Sequence, residues 1–463
     1  MITADDATAD LVQFLKFASV STDPAYAPQV DACADWLVAK LESIGLTVAK
    51  HPTPGHPIVV ARNAARPGRP TVLIYGHYDV QPADPLDLWK TPPFEPRIED
   101  GVIYARGSTD NKGQILAHIL GIQEALAADG DLPVNVILLI EGEEEIGSSN
   151  LEEFLVTHRD ELRCDIAAVS DTGMVAKGWP TFTYGLRGIM ALELKVSGPE
   201  VDLHSGIYGG TVANPATALA RLLATLHDDN GHVAIAGFYD DVLPVQDWER
   251  AAWSKLPGSD AELLTLTGSP SLFGEAGFTS IERSSARPTA EINGFGSGYQ
   301  GDGTKTIIPS KAMAKLTFRL VPGQNPPHIE ELTRRHLQQH LPPGVTLEVK
   351  GGHTGEPYLA NPNSAAGQAA QRALRSTFNA EPALIREGGS IPIVQAFKDV
   401  LGVETLLLGL ALPDARAHSP NENFPLENLR AGSTLNRHLL QQLAAVQFAD
   451  GREGKESANE AER

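Results

Sequence analysis

The stretch 134–149, VNVILLIEGEEEIGSS, constrains this chain more than any other. Seven mostly apolar, β-favouring residues run straight into Glu141, Gly142, Glu143, Glu144 and Glu145. Adjacent carboxylates repel one another, so a strand end is a poor place to crowd them unless a positive partner sits nearby. The same transition recurs. TVLIY (71–75) leads into GHYDV, DIAAVS (165–170) into Asp171, and VETLLLGL (403–410) into a loop holding His418. Helical periodicity lies between the strands. PQVDACADWLVAKLESIGL sets Val30, Ala34, Leu37, Val38, Leu41 and Ile44 on one face with Gly45 as a stop, and KGQILAHILGIQEAL (112–126) is amphipathic. This β-α-β rhythm predicts an α/β fold with a largely parallel central sheet flanked by helices.

The rhythm changes near Gly185. RGIMALELKVSG and AMAKLTFRLVPG (312–323) have period-two character, and a Gly-rich tract, GFGSGYQGDG (294–303), lies between them. The helical IEELTRRHLQQHL (329–341) precedes the strand VTLEVK (345–350), and the α/β pattern returns from about Asn361. The expected organisation is a discontinuous first domain over 1–185 and 358–448 with a smaller α+β domain, 186–357, inserted in it. The polar stretch 449–463 reads as a disordered tail. A length of 463 residues suits two or more folding units.

Composition narrows the partners. A net charge of −21 argues against nucleic acid and anionic membrane surfaces, which need Lys and Arg to neutralise phosphates. No run approaches the roughly 18 apolar residues of a membrane span, and the acidic N-terminal stretch does not read as a signal peptide. Two cysteines, Cys33 and Cys164, argue against a disulfide framework and fit a reducing cytoplasm.

Five segments carry chemistry-bearing residues. His77 and Asp79 share one side of an extended chain, so that one can bind a metal while the other buttresses it. Asp110 lies in the tight loop of ARGSTDNKGQ, the glutamates follow the strand at 134–140, Asp171 follows another strand, and His418 lies in ARAHSPNENF. Each has an ordinary alternative when taken alone: a structural histidine, a helix N-cap at Asp110 or Asn111, an acidic loop, a turn, a surface histidine. Together they are not independent. Four of the five follow apolar strands, and ligands of open α/β sheets collect beyond the carboxyl ends of the strands. Two imidazoles and three carboxylates suit divalent metals, zinc first, then manganese or cobalt. One carboxylate shared between two ions would give each ion three protein ligands.

At this point the sequence resembles the di-zinc metallopeptidases that include carnosinase, cytosolic non-specific dipeptidase, aminoacylase and succinyl-diaminopimelate desuccinylase. The matching stretches are YGHYDVQP, ARGSTDNKG, EGEEEIGS, VSDT, LHSGIYGG, KTIIPSKA, FRLVP, REGGSIP and AHSPNE, spread over roughly 10–445. LHSGIYGG, FRLVP and REGGSIP point to the dipeptidase branch. The resemblance implies that Asp110 is shared by two metals, with His77 and Asp171 completing one site and Glu145 and His418 the other. It also implies a cis peptide after Asp110, Glu144 as general base, and Asp79 as the partner of His77. His204 would reach the partner subunit's active site in a homodimer formed through the inserted domain and stabilise the oxyanion. Arg319 would bind the substrate carboxylate, with Thr306, His353 and Ser390 as further contacts and Gly389 preceding Ser390 in a turn with available N–H groups. The reaction so implied is hydrolysis of dipeptides or very short peptides by a metal-bridged water in a cytoplasmic enzyme. The alternatives are an N-acyl-amino-acid deacylase on the same centre and a non-catalytic peptide-binding protein on the same fold. Glu143 departs from the dipeptidase branch, where that position is uncharged. The following IGS sets the functional pair as Glu144–Glu145 and leaves Glu143 pointing away from the metals.

Overall fold

The computed structural model describes residues 3–448. The chain divides into two compact units. One comprises the chain up to Tyr184, Ala360–Leu384 and the chain from Ala396 onward; the other comprises Gly185–Leu359 and Ile385–Gln395. The stretch Ile385–Gln395, which the sequence pattern groups with the first unit, belongs to the second. There Ser390 accepts a hydrogen bond from Arg319 (2.8 Å), and Arg386 pairs with Glu249 (2.7 Å). The tail expected over 449–463 lies outside the described residues.

The first unit is built on a sheet whose centre is four parallel strands, in the order Asn135–Glu141, Thr71–His77, Ile166–Val169 and Thr405–Leu407. Antiparallel strands Ile58–Arg62 and Thr47–His51 extend one edge. The strand Thr181–Leu186 lies beyond Thr405–Leu407, and along it the chain passes to the second unit. Parallel strands are covered on both faces, which is why these segments are continuous apolar runs. Val72, Ile74, Val136, Leu138 and Ile140 enter a core with Ile115, Leu116 and Ile119 of the helix Lys112–Asp129 and Leu439 and Leu440 of the helix Leu426–Leu443. These two helices approach closely. A Cβ on Gly121 would lie 2.6 Å from the Ser433 carbonyl oxygen, and one on Gly432 would lie 2.8 Å from Ala117 Cβ. On the opposite face Tyr75 packs edge-on against Phe397.

Strand register positions the site. His77 is paired with Glu141, and Tyr75 with Val169, so the chain leaves all three strands at the same end of the sheet. A short antiparallel sheet joins Arg97–Glu99, Val102–Tyr104 and Asn423–Pro425. It anchors the loops that follow residue 104 and precede residue 423 side by side.

The second unit has a four-stranded antiparallel sheet in the order Thr289–Ser297, Lys311–Leu320, Gly188–Ser197, Thr346–Gly355. Alternate residues Met190, Leu192, Leu194 and Val196 turn inward to Leu219 and Leu222 of the helix Pro215–Ala224 and Ile329 and Leu337 of the helix Pro326–Gln339. Among the described residues no helix is long and apolar enough to cross a membrane.

Candidate metal centre

His77 ends its strand fully buried. Its Nε2 lies 3.1 Å from Asp110 Oδ1 and 3.7 Å from Asp171 Oδ2. The other oxygen of Asp110, Oδ2, lies 2.9 Å from Nε2 of His418, which is itself 3.2 Å from Glu145 Oε2. Two groups result, His77–Asp110–Asp171 and Asp110–Glu145–His418, each with ligand atoms within 4.8 Å of one another. Asp110 belongs to both and turns one oxygen toward each. The Asp110–Asn111 peptide is cis, as the resemblance implies.

Neighbouring side chains hold these groups. The fully buried Asp79 accepts hydrogen bonds from the backbone N–H of Glu144 (3.2 Å) and Glu145 (3.1 Å), and one of its oxygens lies 3.3 Å from His77 Nδ1. One carboxylate therefore fixes a metal-type histidine and the turn that carries both glutamates. Asn111 occupies the N-cap position of the helix Lys112–Asp129, yet its side chain makes no cap. Instead its Nδ2 donates to Asp171 Oδ1 and to the Ser170 carbonyl, both at 2.7 Å. Gln81 donates to Glu145 Oε2 at 2.8 Å. Behind Asp171, Ser170 Oγ lies 2.8 Å from His118 Nε2 and donates to the Leu408 carbonyl.

The glutamate run separates into different tasks. Glu141 accepts from Tyr75 (2.6 Å) and Ser148 (2.8 Å), and burial pushes its carboxyl up to about 8. Glu143 turns away from both ligand groups. Its carboxylate accepts from the His56 N–H (3.1 Å) and from Asn150 Nδ2 (2.8 Å), tying the turn to the loop at 53–57. Burial holds the Glu144 carboxyl well above the usual carboxylate range; His77 opposes this, and the charges of Asp171, Asp110 and Glu145 add to it.

The charges test whether cations fit. Asp110, Glu144, Glu145 and Asp171 crowd around the imidazoles of His77 and His418, and the buried Lys112 acts on Asp79 from the other side. Hydrogen bonds to Asp110 and Glu145 push His418 up to about 10. Burial disfavours the charged form of His77, but Asp110 and Asp171 outweigh it and raise the group well above its ordinary value. Burial raises Asp171 and Glu145, whereas at Asp110 the bonds from His418 and His77 outweigh burial and hold it down. So many carboxylates around two imidazoles make a negative cluster that divalent cations would neutralise, with neutral imidazoles and ionised carboxylates as donors. The donor set of nitrogen and carboxylate oxygen fits zinc, manganese or cobalt.

The remaining residues singled out in the sequence lie in the second unit. Arg319, half-buried on Lys311–Leu320, donates to Ser390 Oγ, which donates to the Arg187 carbonyl (2.5 Å). Arg187 was not legible as a site residue. Burial and the nearby Arg319 guanidinium lower it to about 10, so two cationic groups share this corner beside Gly388 and the exposed Gly389. His204 is exposed on the two-residue strand Leu203–His204, and the next residue, Ser205, donates its N–H to the Thr306 carbonyl (3.1 Å). That brings His204 and Thr306 together. His353 is exposed at an irregularity in the register of Thr346–Gly355.

A parallel-centred α/β unit carrying two abutting nitrogen–carboxylate ligand groups at the carboxyl end of its sheet defines a metallohydrolase class of site. The sequence pattern of peptidase family M20/M25/M40 matches residues 73–442, and the chain belongs to that family. It is 34% identical over 450 residues to the Cys-Gly metallodipeptidase DUG1 of Candida albicans, covering 93% of each chain. It is 33% identical over 411 residues to the Beta-Ala-His dipeptidase of Mus musculus, covering 86% of this chain and 83% of that one. The structure of an M20 family metallo-carboxypeptidase, Sso-CP2 from Sulfolobus solfataricus, aligns with a TM-score of 0.85 at 34% identity, covering 96% of this chain and all of that one.

Proposed function

We propose that the protein is a cytoplasmic dipeptidase that hydrolyses the peptide bond of dipeptides or very short peptides. The observation that carries this reading is the placement of Glu144 against two ligand groups that share Asp110. His77, Asp110 and Asp171 would hold one divalent ion, and Asp110, Glu145 and His418 a second, zinc being the first candidate. Bound there, two such ions supply Lewis acidity toward the scissile carbonyl and a lowered pKa for water. Glu144, whose burial favours a held proton, accepts a proton from the attacking water and delivers it to the leaving amine. Asp79 fixes the amides of Glu144 and Glu145, which sets the base relative to His77. Arg319 receives the substrate's terminal carboxylate, with Ser390 and the Gly389 N–H as neighbours and Thr306 and His353 as further contacts. His204 acts across a homodimer on the oxyanion; losing one such donor costs about 10²–10³ in rate.

The test is a panel of dipeptides, tripeptides and N-acyl amino acids, assayed after chelation and after readdition of zinc, manganese or cobalt. Dipeptides turned over fastest, only with metal restored, is the expected result. Faster release of N-acetyl or N-succinyl groups would instead make the protein a deacylase. A monomer with full activity in solution would remove the role of His204 across a dimer.

A further inference from the structure

We propose that Glu422 is a positioning residue of the metal centre, whose buried carboxylate clasps the loop carrying Asp110 and ties it to the loop carrying His418. The proposal rests on the metal reading above. Glu422 has no exposed surface. Its Oε1 accepts from the N–H of Thr109 (2.9 Å) and of Asp110 itself (3.0 Å). Its Oε2 accepts from the N–H of Gly107 (2.9 Å) and from Arg106 Nη1 (2.8 Å), and its carbonyl accepts from the Ala105 N–H (3.1 Å). Every one of these partners is a donor, which matches an ionised carboxylate accepting on all sides.

An ion pair with Arg106 alone would be an ordinary buried salt bridge. Three amides of one loop converging on the same carboxylate are not needed for that. They satisfy amides that lie between the strand ending at Tyr104 and the helix starting at Lys112, and they are brought together by a turn that favours glycine. Gly107 has φ +84°, and a Cβ there would lie 2.6 Å from Val80 Cγ1. The clasp reaches the ligands from both sides. The Asp110 N–H belongs to the residue whose two oxygens face His77 and His418. Glu422 sits four positions after His418, in a loop closed by Asn423 N–H to the Ala415 carbonyl (2.9 Å). The pairing of Asn423 with Tyr104 fixes where the Asp110 loop starts and the His418 loop ends. Ligand oxygens that serve two groups at once leave little room for loop drift, so the hydrogen bonds that hold the loop bear on metal affinity. Outer partners of this kind typically change affinity about 10–100-fold.

Two measurements test this. In the metal-free wild-type protein, amide exchange resolved to single residues should show Gly107, Thr109 and Asp110 protected nearly as well as in the zinc-loaded protein. Exchange at open-loop rates until zinc is added would mean that the ion, not Glu422, shapes the loop, and would overturn the proposal. In the second, chelator competition should show zinc affinity of Glu422→Gln reduced about 10–100-fold, because the amide NH₂ faces donors. Partial recovery is expected in Glu422→Asp. Wild-type protein binding two zinc ions while Glu422→Gln binds both within twofold of it would overturn this proposal alone. Wild-type protein binding none would overturn the metal reading and this proposal with it. If Glu422→Gln does not fold, the exchange measurement on wild type decides.

Discussion

Replacing Asp79 by Asn removes one charge from a side chain with no exposed surface and changes one acceptor into a donor. The carboxylate now serves the N–H groups of Glu144 and Glu145 at 3.2 and 3.1 Å and faces His77 Nδ1 at 3.3 Å. Asn retains one oxygen, so one of those donors meets an NH₂ group. A buried donor left unsatisfied costs about 1–3 kcal/mol. A second route starts from metal affinity. Loss of the anionic partner of a ligating histidine typically costs about 10–100-fold, which is about 1.4–2.8 kcal/mol. The two ranges agree. The lower end is expected, because the Asp79 carbonyl also lies 3.1 Å from His77 Nδ1 and keeps the ring oriented. Chelator competition with zinc on folded Asp79→Asn, followed by turnover at saturating metal, reads both consequences. Affinity should fall about tenfold, and turnover should stay reduced under saturating zinc because the Glu144 turn has lost an anchor. Zinc affinity within twofold of wild type together with unchanged turnover would refute the reasoning.

Burial lowers His118 from 6.5 to about 4, with Ser170 and Asn436 as its polar neighbours. The unfolded chain therefore takes up this proton first. The stabilisation is complete above about pH 6.5 and is lost as pH falls toward 4, on the order of 3 kcal/mol. Urea unfolding of wild type and His118→Leu across that window should show a shallower pH slope in the variant. Arg319→Met should raise KM for dipeptides at least about tenfold, since a hydrogen bond to a charged group contributes about 1.5–3 kcal/mol; steady-state kinetics on free and C-terminally amidated dipeptides should show the amidated ones less affected. Gly121→Ala brings a methyl to within 2.6 Å of the Ser433 carbonyl oxygen, and the clash should outweigh the roughly 1 kcal/mol gain in helix propensity. Its denaturation midpoint should fall below that of wild type.

The strands were legible because strands covered on both faces need uninterrupted apolar runs; 71–75 and 134–140 are observed as Thr71–His77 and Asn135–Glu141. The run at 403–410 is paired only over Thr405–Leu407. Its neighbour ends at Val169, after which Leu410 bonds to the side chains of Gln114 and Asn428. No local pattern announces such long-range side-chain partners. The ligand groups were legible through motif resemblance, since His77, Asp110, Glu145, Asp171 and His418 lie in five separate segments. Asn111 was read only as a candidate helix cap and Glu422 was not singled out, although both lie within matching stretches. An asparagine before a helix reads as a cap, and a glutamate four residues past a loop histidine reads as solvated. Only the structure shows their side chains turned inward, onto Asp171 in one case and onto the Asp110 loop in the other. The stretch Ile385–Gln395 was grouped with the wrong neighbours for a similar reason: the contacts of Arg386 and Ser390 lie far off in sequence.

The measurement that bears most directly on the account is zinc content and dipeptide turnover of Glu144→Gln in parallel. Glu144 lies among the ligand groups without belonging to either. The account predicts two bound ions per chain, as in wild type, with turnover reduced by about 10²–10⁴. Two bound ions with undiminished turnover would contradict it.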